Sequence, residues 1–236
     1  MLKDKKNKKT LVILHGWNDS SKSWRLFADQ ISGIIDVKVP DLPGFGEQPL
    51  ISDEWGVPEY ARWVEEYIEK QKLNNVVLMG HSFGGRIAGF IASKNPKWIK
   101  ALILYASPSI YRPRLKTRIK IKLYKIAKKL GLIKIAQKFK KTNPELVKAD
   151  REGLGKIFRK VVPFDQTETL PKIKCPTLLI WGDKDTETPL KNGKETCSLI
   201  NGAKMEIISG GGHNVHLEKP YIFYGIVKKF IQEIYK

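Results

Sequence analysis

The sequence predicts an α/β fold, a doubly wound and mostly parallel sheet of about six strands with helices on both faces. The first observation behind this prediction is an alternation along the chain, in which short apolar runs of strand length are followed by segments whose apolar residues recur every three or four positions. The second is size, because 236 residues with 42% apolar side chains can bury one full core. Strands and helices that alternate within one domain are typical of a parallel sheet covered on both sides.

Six segments carry the strand pattern. Most are runs of consecutive Val, Ile and Leu residues, as expected for strands that are buried on both faces of a sheet. The predicted strands span residues 10–14, 36–40, 75–79, 100–105, 176–181 and 204–208.

Four helices are predicted between or after these strands, over residues 20–31, 58–72, 82–94 and 220–235. Ser20 or Ser21 is the expected N-cap of the first helix, because a serine hydroxyl accepts a hydrogen bond from a free backbone N–H there. The second helix presents a single apolar stripe, which indicates one face packed on the sheet. That stripe consists of Tyr60, Trp63, Val64, Tyr67 and Ile68.

The most informative stretch is Gly80-His-Ser-Phe-Gly84, between the third strand and the helix that follows it. A serine at the apex of a strand–turn–helix with glycines two residues before and after it is the pattern of a nucleophile elbow. The glycines fit because the turn brings strand and helix too close for side chains. The alternative, a simple Ser–Gly loop, leaves the regular patterns on both sides of Ser82 unexplained.

Residues 107–166 interrupt the alternation and predict a helical insertion after the fourth strand. A first helix is expected to end at Gly131, a second to run through Lys141, and a third to run from Asn143-Pro144 toward Val161. The first helix has one apolar face, formed by Leu115, Ile119, Leu123, Ile126 and Leu130.

The net charge of +19 is concentrated in two segments. Residues 112–141 contain 13 Lys or Arg and no acidic residue, and residues 1–9 contain five Lys and one Asp, so that the rest of the chain carries only +2. A basic insertion can be a solvated surface, or it can attract an acidic partner. It also allows a protein of a different class, a nucleic-acid or membrane-surface binder in which Tyr111, Tyr124 and Phe139 assist the lysines.

Other features of the sequence argue against several classes of protein. The apolar run at residues 11–14 is too short for a signal peptide, and no other segment approaches the length of a membrane span, so that a cytoplasmic protein is expected. Cys175 and Cys197 have neither metal nor redox spacing and are expected to be free thiols. The glycine-rich loop at residues 41–46 lacks the Gly-Lys-Ser/Thr of a phosphate loop. We therefore predict no cofactor and no metal.

From about Thr10 to the C-terminus, the chain resembles the α/β-hydrolase superfamily. The resemblance implies a core of residues 1–106 and 167–236 and a helical cap of residues 107–166. It also implies a trimmed, six-stranded sheet, because the usual first two antiparallel strands have no room before Thr10, and Gln48 replaces a common serine. The motifs that carry it occur in the family's order: His15-Gly16, Asp41-Leu-Pro-Gly-Phe-Gly46, Gly80-His-Ser-Phe-Gly84, Gly182-Asp-Lys-Asp185 and Gly212-His213.

The resemblance also implies a catalytic triad in the chain order Ser, Asp, His. Ser82 is the expected nucleophile, and His213 is preferred to His216 as the base. By the family's Gly-x-x-Asp motif with a following proline, Asp185 is preferred to Asp183 as the acid, and Asp183 is then a turn residue that accepts backbone hydrogen bonds.

The oxyanion is expected to be held by the backbone N–H groups of Trp17 and Phe83. The expected function is ester hydrolysis through an acyl-enzyme on a small-molecule ester. If the basic cap has a binding role, it favours an ester that is anionic or carried on an acidic protein. Lactones, thioesters, acyl-carrier-protein esters and carbon–carbon bonds remain open, because the same triad cleaves them. The serine disfavours the dehalogenase and epoxide-hydrolase branches, which use aspartate, and no nucleic-acid partner is expected.

Overall fold

The computed structural model describes residues 8–112, 119, 122–124, 126, 127, 129–132 and 144–236. Six parallel strands form one sheet in the order β2-β1-β3-β4-β5-β6, which confirms the predicted fold class. The strands are β1 (Thr10–Leu14), β2 (Asp36–Lys38), β3 (Val76–His81), β4 (Ile99–Tyr105), β5 (Thr177–Gly182) and β6 (Lys204–Ile208).

Helices cover both faces of this sheet. The α-helices that lie wholly within the described residues are α1 (Arg25–Ile31), α2 (Val57–Lys70), α3 (Phe83–Ser93), α4 (Pro144–Arg151), α5 (Gly155–Val161), α6 (Leu190–Leu199), α7 (Val215–Glu218) and α8 (Pro220–Ile234). Side chains of α1, α7 and α8 pack with one apolar cluster, and those of α2 to α6 pack with the other. Because β1, β3 and β5 are fully buried, the sheet forms the centre of the molecule between these two clusters.

Several predicted boundaries differ from the structure for local reasons. The first predicted helix begins as a 3-10 turn over Ser21–Trp24, with Ser20 as its N-cap, and becomes α-helical at Arg25. The single helix predicted from Pro144 to Val161 is wrong. This part of the chain forms two helices, α4 and α5, because the chain turns between them at Gly153, whose φ is 77°.

Helix α6 was not predicted, since Gly193 in its middle weakens the helical pattern of the sequence. The structure explains this glycine. A Cβ atom at Gly193 would lie 2.7 Å from ring atoms of Trp181, so that a side chain there would displace the strand residue on which the helix packs.

Part of the predicted insertion can be compared with the structure. Residues 119, 122–124, 126, 127 and 129 are helical, and Gly131 follows with φ of 71°, as expected for the residue that ends a helix. The predicted start of this helix near Leu115 and the predicted helix through Lys141 lie outside the described residues. In the part of the chain that the structure describes, none of the helices combines the length and the apolar character that a membrane crossing requires. Both cysteines are free.

Candidate active site

Ser82 occupies the turn between β3 and α3. It has φ of 49°, a left-handed conformation that is unusual for a residue other than glycine. A side chain at Gly80 would collide with the Gly84 carbonyl oxygen, and one at Gly84 would collide with the Leu14 carbonyl oxygen. The glycines of the motif are therefore required by the close approach of strand and helix, and the turn places Ser82 at the carboxyl end of β3.

Asp185 and His213 form a buried hydrogen bond, although they are far apart in sequence. Asp185 follows β5, His213 follows β6, and the distance from His213 Nδ1 to Asp185 Oδ2 is 2.8 Å. A carboxylate can only accept, so Nδ1 carries the proton and Nε2 of the neutral ring is left with a lone pair. This is the tautomer that a general base needs.

The carboxylate of Asp185 is held by three further donors. Its Oδ1 accepts from the N–H groups of Glu187 at 2.9 Å and Thr188 at 2.8 Å, and its Oδ2 accepts from the Thr188 hydroxyl at 2.6 Å. Burial alone would raise the pKa of Asp185, but the hydrogen bonds from His213 and Thr188 outweigh burial and lower that pKa. Asp185 is therefore an ionised, immobilised partner for His213.

The imidazole of His213 responds to this carboxylate in the opposite sense. Burial alone would lower the pKa of His213, but the hydrogen bond and negative charge of Asp185 raise it above the ordinary value. Glu187 and Glu145 contribute in the same direction. Glu187 is the closer of the two, with Oε2 3.6 Å from His213 Nε2.

Ser82 and His213 line the same cavity, which has a volume of about 580 Å³. No hydrogen bond joins the Ser82 hydroxyl to His213 in the described structure, where Nε2 faces Glu187 instead. Such catalytic hydrogen bonds are commonly long in the absence of substrate. The structure thus brings all three predicted triad residues to one site and pairs two of them directly.

Trp17 and Phe83, the predicted oxyanion donors, also line this cavity. Their rings pack edge to face, with centroids 5.4 Å apart. Phe83 is the first residue of α3, and neither its N–H nor that of Trp17 donates to a backbone acceptor in the part of the chain that the structure describes. The loop of Trp17 lies against the elbow, since a Cβ atom at Gly16 would be 3.5 Å from Ser82 Cβ. Both N–H groups are therefore available near Ser82.

The other three histidines are buried, and each is in contact with neighbouring protein groups. His15 Nε2 accepts from Leu42 N–H at 2.9 Å, and His216 stacks on Trp24 with centroids 4.1 Å apart. Burial lowers the pKa of His15 and of His81, and lowers the pKa of His216 to about 4. They are neutral near pH 7, and only His213 is paired with a carboxylate at hydrogen-bonding distance.

Asp183, the alternative acid, has a different role in the structure. Its Oδ1 accepts a hydrogen bond of 2.7 Å from the N–H of Gly210, in the loop after β6. The exposed carboxylate of Asp183 therefore joins the loops after β5 and β6. It accepts a backbone hydrogen bond, as expected for a turn residue.

Sequence reasoning missed residues that support His213. Thr188 binds Asp185, and the Tyr105 hydroxyl donates to the His213 carbonyl oxygen at 2.9 Å. A signal for Thr188 exists, since a threonine three residues after an aspartate can close a local turn. Tyr105 is the last residue of β4, and nothing in the strand pattern distinguishes it. Within the described residues, no group of three His, Cys, Asp or Glu side chains is arranged to hold a metal ion.

The chain is similar in sequence and in structure to known hydrolases. It is 28% identical to the pimeloyl-[acyl-carrier protein] methyl ester esterase of Wigglesworthia glossinidia brevipalpis, over 94% of this chain and 93% of that protein. It is 25% identical to an uncharacterized hydrolase of Bacillus subtilis, over 95% of this chain and 90% of that protein. The solved structure of a thermophilic esterase from Thermogutta terrifontis has the same fold, with a TM-score of 0.75 at 20% identity, over 97% of this chain and 91% of that chain.

The sequence pattern of the alpha/beta hydrolase family matches residues 11–224, which include the elbow, the Asp185 loop and the His213 loop. This match extends over most of the sheet and its helices. The chain belongs to the alpha/beta hydrolase family.

Proposed function

We propose that this protein is a serine hydrolase that cleaves carboxylic esters, with Ser82 as nucleophile, His213 as base and Asp185 as the residue that orients His213. The observation that carries the proposal is the buried 2.8 Å hydrogen bond between His213 Nδ1 and Asp185 Oδ2, in a protein whose elbow serine lines the same cavity. A purely structural Asp–His pair would not need to open onto a cavity beside a strained serine.

In the first half of the reaction, Ser82 Oγ attacks the ester carbonyl carbon and His213 Nε2 takes the hydroxyl proton. The carbonyl oxygen becomes an oxyanion that accepts hydrogen bonds from the N–H groups of Trp17 and Phe83. When the intermediate collapses, the bond to the alcohol oxygen breaks and His213 donates its proton to that oxygen. Asp185 stabilises the imidazolium between these two proton transfers.

In the second half, a water molecule attacks the acyl-enzyme. His213 Nε2 accepts a proton from the water as the new bond to carbon forms, and then returns a proton to Ser82 Oγ as the acyl–oxygen bond breaks. The products are the carboxylic acid and the alcohol, and the enzyme regains its starting state. Lactones and thioesters follow the same steps with a different leaving group.

An ester is the substrate class that the relatives favour. The relative with 28% identity is named a methyl ester esterase of an acyl-carrier-protein conjugate, and it is matched along 93% of its length. A protein that only binds nucleic acid or membrane surfaces would not require a carboxylate and an imidazole paired inside a cavity. We therefore place ester hydrolysis ahead of the binding role that the basic segment also allows.

We further propose that residues 107–166 act as a cap that shapes the substrate cavity over a core of residues 1–106 and 167–236. Helices α4 and α5 belong to this segment, and Phe158 of α5 packs edge to face on Trp17 with centroids 5.3 Å apart. Among the described residues of this segment, those that line the cavity are Pro108, Glu145, Phe158, Val161 and Val162.

Labelling of the purified protein with a fluorophosphonate, followed by peptide mapping, tests this function. We expect the adduct on Ser82, and we expect hydrolysis of a short-chain nitrophenyl ester that stops as the label is incorporated. Ser23 lines the same cavity, so Ser23→Ala is the matched control and should label normally. An unlabelled Ser82 together with no turnover of esters, lactones or thioesters would contradict the proposal.

A further inference from the structure

One basic side chain lies inside the protein, beside the candidate nucleophile. Arg86 is 6% exposed and is the buried member among the Lys and Arg residues that the structure describes. It follows Ser82 by about one helical turn on α3, and helical side chains lean toward the N-terminus of their helix, here toward Ser82. Arg86 lines the same cavity as Ser82 and His213.

The guanidinium of Arg86 is only partly satisfied by the protein. Its Nη1 donates to the Phe164 carbonyl oxygen at 2.5 Å, and this is its one side-chain hydrogen bond within the described part of the chain. A guanidinium has five N–H donors. No carboxylate of the described residues lies within 4.0 Å of it. A single carbonyl oxygen could be bound by a smaller, neutral donor, so this contact does not explain why the residue is arginine.

Asp165 is the carboxylate whose charge raises the pKa of Arg86 against the effect of burial, but its oxygens accept hydrogen bonds from other groups. Oδ2 accepts from Arg112 at 2.9 Å and from the N–H of Tyr111 at 3.0 Å, while Oδ1 accepts twice from Thr167. Asp165 thus stabilises Arg86 from a distance without binding it.

Burial lowers the pKa of Arg86 to about 10, so the side chain is still cationic at neutral pH. Removing a charge from water without a hydrogen-bonded counter-ion destabilises a protein by several kcal/mol. A buried cation without a hydrogen-bonded counter-ion, at the wall of a cavity, can bind an anion that enters the cavity. Guanidinium binds carboxylate with two parallel hydrogen bonds, which makes carboxylate the best-matched anion.

The cavity also contains acidic side chains, but they are placed differently. Glu145 and Glu187 are exposed, and Asp19 already accepts hydrogen bonds from Ser20 N–H and from Trp24 Nε1. Exposed carboxylates are screened by water and salt, whereas a buried cation is screened much less. The interior wall near Ser82 is therefore the favourable position for a substrate anion.

We propose that Arg86 binds a carboxylate group of the substrate, and that the enzyme prefers half-esters of short dicarboxylic acids over uncharged esters. The inference rests on the proposed function and specifies its substrate class. One helical turn rises about 5.4 Å, so the carboxylate lies only a few bonds from the carbonyl that Ser82 attacks. Succinate and glutarate half-esters have this spacing.

The test compares monomethyl glutarate with the methyl ester of glutaramic acid, which has nearly the same shape and no charge. We expect kcat/KM to be at least about tenfold higher for the acid, the effect of one hydrogen-bonded charge pair. Arg86→Gln should bring the ratio close to one, and Arg86→Lys should retain part of the preference. Arg62→Gln removes the same charge from an exposed site on α2 and should keep the wild-type ratio.

A binding measurement separates this inference from the proposed hydrolysis. Glutarate should bind to Ser82→Ala protein in calorimetry, glutaramide should bind at least about tenfold more weakly, and adding Arg86→Gln should remove the difference. This result does not depend on turnover. If esters are hydrolysed but the wild type does not prefer the acid, or if Arg86→Gln keeps the preference, the carboxylate site is wrong and the serine hydrolase stands.

If the wild-type protein hydrolyses no ester but the Ser82→Ala protein binds glutarate as expected, only the proposed function is overturned. If Arg86→Gln does not fold, as judged by circular dichroism, two measurements still test the carboxylate site. They are the wild-type ratio of kcat/KM for the acid over the amide, and glutarate binding to the Ser82→Ala protein. Absence of both would overturn the assignment.

Discussion

Two regions around the cavity are built in different ways. The loops after β5 and β6, residues 183–189 and 209–214, are joined by short hydrogen bonds, including Lys184 N–H to the Gly211 carbonyl oxygen at 2.8 Å and Gly210 N–H to Asp183 at 2.7 Å. A side chain at Gly182 would collide with the carbonyl oxygens of this second loop. Asp185 and His213 are therefore held by close backbone packing that tolerates little change.

The described part of the segment between β4 and β5 is attached mainly through side chains. Lys156 and Lys160 both reach the exposed carboxylate of Glu54, and Arg159 pairs with Asp150 within the segment itself. Exposed ion pairs contribute little to stability. Apolar packing, such as Phe158 on Trp17, supplies the rest of the attachment.

Under the proposed function, this difference predicts that the two loops determine the chemistry and that residues 107–166 determine the selectivity. Substitutions in the two loops should damage the reaction with every substrate, whereas substitutions in the proposed cap, residues 107–166, should alter which substrate reacts.

Ser82→Ala should have the largest effect, a fall in kcat on the order of a million-fold, because only the attacking oxygen is removed. Alanine can occupy the same turn, so the melting temperature and the circular dichroism spectrum should stay close to those of the wild type. Steady-state kinetics on a nitrophenyl ester measures the loss. Turnover that survives the substitution would mean that the elbow is not the reactive site.

Asp185→Asn should lower kcat by roughly ten-thousand-fold, because the amide no longer selects the imidazole tautomer with Nε2 unprotonated. Asp183→Asn is the matched control on the same loop. Its amide oxygen can still accept from Gly210 N–H, and we expect little loss. If Asp183→Asn lowered kcat more than Asp185→Asn, the assignment of the acid to Asp185 would be wrong.

Glu187→Gln should shift the pH profile without abolishing activity. The base must be neutral, so kcat/KM falls as pH drops through the pKa of His213, which Asp185 and Glu187 raise above its ordinary value of 6.5. Removing the Glu187 charge lowers that pKa and moves the acid limb to lower pH, so kcat/KM at pH 6 should rise a few-fold.

Glu66→Gln, on the exposed side of α2, is the control and should leave the profile unchanged. His213 is also near His81 and His216, which stay neutral over this range because burial lowers their pKa values. Superimposable profiles for wild type and Glu187→Gln would show that the carboxylate does not act on His213.

The smallest effect is expected from the basic segment. If its 13 basic residues attract anionic substrates, kcat/KM for an anionic ester should fall with added salt more than for a neutral one. Replacing Arg114, Arg118 and Lys122 by Gln should reduce that salt dependence a few-fold. Any preference for the anionic ester that remains at high salt is then due to the buried Arg86 rather than to the charge of residues 112–141. Equal salt responses of both esters in wild type and variant would assign the segment a solvated role only.

The sequence was sufficient for the sheet and for the strained turn at Ser82, because both depend on local chemistry. Consecutive apolar residues mark buried parallel strands, and glycines around Ser82 mark a turn that admits no side chains. The preference for Asp185 over Asp183 came from a family motif. In the structure Asp185 pairs with His213, and Asp183 accepts from the N–H of Gly210.

What the sequence could not supply depends on contacts between distant segments. Nothing near Arg86 in the chain indicates that, among the described residues, its guanidinium will donate only to the carbonyl oxygen of Phe164, or that Asp165 will pair with Arg112. Tyr105 looks like any strand residue until β4 places its hydroxyl under His213. The break between α4 and α5 was missed because helical periodicity continues across a glycine whose conformation the pattern does not reveal.

The all-parallel sheet has a consequence for how the protein assembles. Parallel neighbours cannot be joined by tight hairpins, so each pairing requires a long crossover, and folds with many such distant contacts form slowly. Ser82, Asp185 and His213 follow β3, β5 and β6, which means that the cavity exists only after the last strand has joined. During refolding from denaturant, ester turnover should therefore reappear after most helical signal has returned, which makes activity a reporter of completed folding rather than of collapse.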